Sequence, residues 1–307
     1  MSAGPARPDG SGYIAGYHGR ENRRVAPSPA PALSRRREVG DASARSLLIT
    51  VLGEYVLPRG GPVWTSVLVR ALGELGVAEK SARQALARSA AEGWVSPVRY
   101  GRRVRWELTG PGQTLLTDGA RRIFSFGRAA RDWDGHWLLL LASVPDSKRE
   151  LRHRLRTQLA WAGFGALAAG VWVSPDPGRE AEARSILTSL GLADTAMSFL
   201  GRYGSVGTQE AVARQAWDLD AVSASYQGFI DAVADAAPVT GPDFFVAQTR
   251  LVHAWRRFPF LDPQLPAGLL PSGWAGTTAA QLFETRHGAW QPEAGRHWEA
   301  LVAEAGR

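Results

Sequence analysis

Between Ala44 and Gly93 the apolar positions recur every three to four residues. Leu47, Leu48, Val51, Leu52 and Tyr55 fall on one face of a helix, and Pro58–Gly61 ends it. In "PVWTSVLVRALGELG", Val67, Leu68, Ala71, Leu72 and Leu75 form the stripe of a second helix, closed by Gly76. A third, "VAEKSARQALARSAAEGW", turns Ala82, Leu86 and Ser89 or Ala90 inward and stops at Gly93. The period then changes to two. Trp94–Arg99 and Arg103–Thr109 read as strands around a Tyr100–Gly101–Arg102 turn. Val104, Trp106 and Leu108 point to one side of the second strand; Arg103, Arg105 and Glu107 point to the other.

A connecting helix is expected at Gln113–Phe124. From Trp137 the pattern restarts as strand ("WLLLLASV"), helix (with Leu151, Leu155, Leu159 and Ala162 inward), one strand or a tight strand pair ("GALAAGVWVSP"), helix ("GREAEARSILTSLGL") and strand ("AMSFLGRYG"). That β-α-β(β)-α-β order is the one of a ferredoxin-like unit. Beyond Gln209 the pattern is helical, clearest at 211–216, 220–236 and 243–258. The Pro-rich "FPFLDPQLPAGLLPSGW" reads as a packed loop, and a last helix is expected over Gly295–Ala305. The fold class is α+β, divided as a disordered basic arm (1–42), a helix-and-hairpin unit (43–112), a connecting helix (113–130), a ferredoxin-like middle domain (131–206) and a helical C-terminal domain (207–307), the expected place for effector binding or dimerisation.

Charge is segregated along this plan. Residues 1–130 hold 20 Lys/Arg against 10 Asp/Glu, and residues 131–307 hold 16 against 19, within an overall +7. A basic first part followed by a slightly acidic remainder points to a polyanionic partner for the first part alone. An arginine-rich composition, in which Lys80 and Lys148 are the only lysines, explains the Arg/Lys ratio but not the segregation. With no cysteine, disulfides, thiolate catalysis and zinc–thiolate sites are excluded. No apolar run has membrane-helix length and the N-terminus has no signal-peptide core, so a cytoplasmic protein is expected. The six histidines show no helical ligand spacing, "GFGALAAG" precedes a strand instead of following one, and the paired aspartates fit turns and caps, so neither a catalytic residue, a metal site nor a cofactor is expected.

Three short helices followed by a hairpin spell a winged helix-turn-helix, and double-stranded DNA is the expected partner. In that motif the early part of the recognition helix reaches base edges. Here it carries Lys80, Ser81, Arg83 and Gln84, where Arg suits guanine and Gln suits adenine. Arg88, further along, is placed for phosphate. Arg99, Arg102, Arg103 and Arg105 of the hairpin would supply salt-dependent affinity with little sequence information.

With these elements in place, the chain resembles the PaaX family, repressors of phenylacetate degradation, from about Ala44 to Trp298. The resemblance rests on "ARQALARSAAEGWV", "RYGRRVRWELTGPG", "WDGHWLLLLASVPDSKRELRHRLRTQLAWAGFGALAAGVWVSP" and "FPFLDPQLPAGLLPSGW", in that order. It implies a dimeric repressor of a catabolic operon, released by an aryl-CoA thioester such as phenylacetyl-CoA, with a middle domain similar to small CRISPR-associated nucleases. Those nucleases carry a metal-binding Asp near the end of the first strand, where Ser143 stands here; Asp146 is the nearest carboxylate and keeps a metal-dependent nuclease as the alternative. An effector-independent DNA-binding protein is a further one. For an aryl-CoA, Arg250, His253, Arg256 and Arg257, with Trp255 and Trp274, are the expected site, since the ligand needs cations for phosphate and an apolar pocket for its acyl group. Arg152, Arg154 and Arg156 are a second possible phosphate site.

Overall fold

Helix α1, Ala44–Val51, starts where the Ser43 hydroxyl accepts the Ser46 amide, and a π-helical turn, Leu52–Val56, continues it. This computed structural model describes residues 43–127 and 133–306; the arm expected over 1–42 lies outside the described residues. The extra residue per turn widens the inward face, and Glu54 is buried there beside Tyr55. Helices α2 (Thr65–Glu74) and α3 (Glu79–Ala91) bury the expected stripes, with Ser89 inward and Ala90 only partly covered. Both helices end in the same way. Gly76 and Gly93 take φ of 88° and 77°, and the next residues' amides reach back to Leu72 and Ser89.

The strands are β2 (Val95–Tyr100) and β3 (Arg103–Leu108), joined by the two-residue turn Gly101–Arg102. A third strand, β1 (Val63–Trp64), pairs with β3 and puts it in the middle. The helical pattern of "PVWTSVLVRALGELG" predicts Val63 and Trp64 at the start of the second helix. They are extended because Thr65 begins α2 and its hydroxyl is spent on the sheet: it donates to the Val104 carbonyl at 3.0 Å and accepts from Trp106 Nε1 at 2.9 Å. Helix α4 (Gly110–Ser125) starts earlier than expected, because Thr109 caps it. Gly112 is required there, since a Cβ would lie 2.0 Å from the Trp94 carbonyl oxygen.

The middle region runs β4 (His136–Leu141), α5 (Arg149–Trp161), β5 (Gly165–Ala168), β6 (Val171–Ser174), α6 (Glu180–Ser189) and β7 (Met197–Arg202). The ambiguous "GALAAGVWVSP" is a strand pair, turning at Gly170 with φ 77°. The sheet order is β5-β6-β4-β7 with antiparallel neighbours. Leu138 and Leu140 face α5 and α6 through Leu155, Leu159 and Leu187. Trp137 and Val173, on the other face, meet Ala213 and Leu219 and, from the Pro-rich loop, Leu265 and Leu269.

The C-terminal helices are α7 (Gln209–Ala216), α8 (Leu219–Ala234), α9 (Gly241–Trp255), the short α10 (Phe258–Leu261) and α11 (Ala275–Gly306). The last helix is 32 residues long with Pro292 inside it, so the expectation of a helix confined to Gly295–Ala305 is corrected. At 1.5 Å per residue it spans about 48 Å. Its first half packs Ala279, Phe283 and Trp290 into an aromatic core with Tyr226, Phe229, Trp255 and Phe258. Its second half packs Ala294, Trp298 and Leu301 into the core of α1–α3, where α9 adds Phe245.

The N-terminal helices therefore share a core with both α9 and α11. Trp298 is 2% exposed and stacks on Tyr55 at 5.4 Å. Trp298→Ala is expected to cost about 3–5 kcal/mol of unfolding free energy, measured by urea denaturation. A loss under about 1 kcal/mol would contradict a shared core.

Candidate nucleic-acid interface

The buried Ala82, Ala85, Leu86 and Ser89 hold α3 against the N-terminal core, which leaves Lys80, Ser81, Arg83, Gln84 and Arg88 exposed together on its outer face. Glu79, Lys80, Arg83, Gln84 and Ala87 line a shallow depression of about 590 Å³ there. Arg83 is paired with Glu79 one turn back at 2.7 Å. An exposed i,i+4 pair of this kind is worth only about 0.3–0.5 kcal/mol, so it leaves the guanidinium exchangeable. Lys80 and Arg88 have no ion-pair partner among the described residues.

The hairpin arginines divide into two kinds. Arg99 and Arg102 are exposed and unpaired among the described residues. Arg103 and Arg105 are engaged: each guanidinium lies 4.0 Å from the centre of the Trp64 ring, and that of Arg105 also lies 5.0 Å from the Tyr100 ring. Arg103 also donates to the Ala305 carbonyl in the last turn of α11. Strand register explains the grouping, because Trp64 is opposite Arg105 and Tyr100 opposite Arg103, which sets all four on one face. The sequence reading missed Trp64. The signal was the Val63–Trp64 pair directly after the Gly60–Gly61 turn.

The residues expected to hold an acyl-CoA are not brought into one pocket. Trp255 is 1% exposed in the aromatic core, and its Nε1 donates to the Ile123 carbonyl at 3.3 Å. Trp274 is half-buried, edge-on to Tyr226 at 5.8 Å. Arg257 donates to the Ser225 carbonyl at 3.4 Å, and its Nε is buried without a hydrogen-bond partner among the described residues. Arg250 is exposed on α9. His253 lies at the seam with α1, its Nδ1 3.1 Å from the Thr50 hydroxyl. Burial, aided by the Arg256 charge, pushes its pKa down to about 4. A cavity of about 500 Å³ lies elsewhere, between the end of β6 and the Pro-rich loop, where Trp133, Pro175, Asp176, Arg179, Pro263 and Gln264 are among its walls. None of the six expected residues lines it.

In the middle region Asp146 is ion-paired with Arg152 at 2.8 Å. Among the described residues no group of three or more His, Asp or Glu side chains is placed to hold a metal ion. Arg154 and Arg156 are exposed on α5. No helix among the described residues is long and apolar enough to cross a membrane.

These features describe a three-part α+β chain whose basic helix-and-hairpin unit is docked on its own C-terminal helices. Residues 43–112 match the family described as PaaX-like protein, residues 130–213 the PaaX protein central Cas2-like domain, and residues 217–300 the PaaX-like protein C-terminal domain. The chain is 34% identical over 251 residues to the Transcriptional repressor PaaX of Escherichia coli K12, covering 78% of each. The chain belongs to the PaaX family. A solved structure, the uncharacterized protein Rv0674 from Mycobacterium tuberculosis, is similar in fold with a TM-score of 0.58 at 22% identity, over 84% of this chain and 98% of that one.

The depressed His253 pKa carries a stability consequence. A folded imidazole protonated only below about 4, against about 6.5 unfolded, means that the unfolded chain binds more protons in between. Stability is therefore lost as the pH falls from about 6.5 to about 4. His253→Gln is expected to remove on the order of 2–3 kcal/mol of the difference between pH 7 and pH 4.5, read from urea midpoints at both values. An unchanged pH dependence would contradict the buried neutral histidine.

Proposed function

We propose that the chain is a DNA-binding transcriptional repressor whose winged helix-turn-helix, 43–112, docks on duplex DNA. Helix α3 lies in the major groove with Lys80, Ser81, Arg83 and Gln84 toward base edges and Arg88 toward phosphate; Arg99, Arg102 and Arg105 of the wing bind the backbone. The observation that carries this reading is the convergence of unpaired cations on one helix face and one hairpin tip, within the segment that matches the PaaX-like family. The relative named as a transcriptional repressor supports the direction of control. A duplex selected from random sequence by the purified protein tests it. Arg102→Gln is expected to weaken all selected duplexes alike and lower the salt slope by roughly one unit. Changing Arg83 and Gln84 is expected to alter base preference, with a loss of about 1–3 kcal/mol at the contacted positions. Uniform weakening by the α3 variants would remove the recognition helix from this account.

The family's chemistry supports a finer reading, in which a catabolic operon is controlled and an aryl-CoA such as phenylacetyl-CoA releases the protein. The ligand would draw on 207–307, where Arg250, Arg256 and Arg257 supply cations, and 131–206 would serve pairing in a homodimer. Edge strand β7 supports the dimer, because it exposes Met197, Phe199 and Leu200 at 56%, 52% and 57% and has no second neighbour in its sheet among the described residues. Native edges are ordinarily blunted by charge, proline or a bulge, and here only Arg202 does so. Titrating the selected complex with a panel of acyl-CoAs, with mass read by sedimentation, is expected to give two chains per duplex and release by aryl-CoA at lower concentration than by acetyl-CoA. Release by none of the panel would remove the effector claim, and a single chain per duplex would remove the dimer.

A further inference from the structure

Arg103 belongs to the arginine-rich hairpin, yet its side chain is already spoken for within the molecule. Its guanidinium lies 4.0 Å from the Trp64 ring centre and donates to the Ala305 carbonyl. That carbonyl is in the last turn of α11, where backbone oxygens lack intrahelical partners and the helix dipole is negative. A cation beside it is doubly favoured. The neighbouring contacts run the same way along the helix. His297 meets Glu74 at 2.8 Å, Arg59 meets Glu299 at 3.2 Å, and Arg70 pairs with Glu304. Trp298 and Leu301 seat this half of α11 in the core of α1–α3, while Phe283 and Trp290 fix the other half in the aromatic core of the C-terminal helices.

We propose that Arg103 is a positioning residue, clamped between Trp64 and the C-terminal end of α11, and that through it α11 sets the position and order of the wing. The wing tip is thus tied to a single helix that reaches from the C-terminal aromatic core, beside Trp274, to the hairpin. A displacement of α11 moves the wing directly, without passing through α3. This rests on the DNA-binding reading only where affinity is the readout; the clamp itself is a property of the free protein.

The test uses the full chain in two readouts. In hydrogen exchange on the free protein, Arg103→Gln is expected to speed exchange of the Tyr100–Trp106 hairpin amides by roughly tenfold, with α3 unchanged. Removing residues 303–307, and with them the Ala305 acceptor, is expected to do the same. In DNA titrations Arg103→Gln in the full chain is expected to weaken binding with no change in salt slope. In the shortened chain, where Arg103 is released, the same substitution is expected to lower the slope by roughly one unit. A slope that falls by one unit in the full chain, or hairpin exchange unaffected by Arg103→Gln, overturns the proposal. Faster hairpin exchange in a protein that binds no duplex overturns the DNA reading and upholds the clamp.

Discussion

The seating of Phe245 and Trp298 on Tyr55 is the contact on which the remaining structure depends. The three rings lie within 6.4 Å of one another, and each comes from a different element: α9, α11 and the π-turn after α1. Apolar burial alone would let such a joint slide, but its polar groups do not. The Tyr55 hydroxyl meets the Thr249 hydroxyl at 3.2 Å and the Phe245 carbonyl at 3.5 Å, and burial pushes its pKa far up, so that it remains a neutral donor. The buried Glu54 carboxylate accepts from Gln248 at 2.8 Å and lies 3.0 Å from His287 Nε2. These partners come from α9 and α11. Separating the N-terminal helices from the C-terminal ones would strand a phenol and a carboxylate, each costing about 1–3 kcal/mol or more.

This joint bears on how the protein works. In a chain of independent domains, a ligand at one end could not change the DNA affinity of the other. Here the helices that carry the basic face are completed by residues near the end of the sequence. A ligand that favoured one position of α9 or α11 would therefore favour one state of the basic face. Differential affinity of that kind is the thermodynamic requirement for a ligand-responsive repressor.

Much of the N-terminal architecture was legible in the residues. The glycines at 76 and 93, the two helical stripes and the change of period at Trp94 were enough, because local geometry decides them. The middle region was readable from its alternation of strand and helix, except that "GALAAGVWVSP" fitted one strand as well as the pair it forms. The first half of α11 was not. Its apolar residues do not form one stripe, because the helix faces two cores in succession, and Pro292 lies inside it. Glu54 was not legible as a buried group, because its partners Gln248 and His287 lie 194 and 233 residues away. The basic face of α3 was legible from charge and spacing. The engagement of Arg103 was not, because its partner is a backbone carbonyl 202 residues away. Trp255 was offered as a ligand wall because an aromatic beside arginines suits one, yet it fills the core.

Native-state hydrogen exchange along the whole chain tests the shared core most directly. If the N-terminal helices and the C-terminal ones are one cooperative unit, the slowest amides of α1, α2, α9 and the second half of α11 open with the same free energy and respond equally to denaturant. An N-terminal unit that opens separately, several kcal/mol below α9 and α11, would contradict the account.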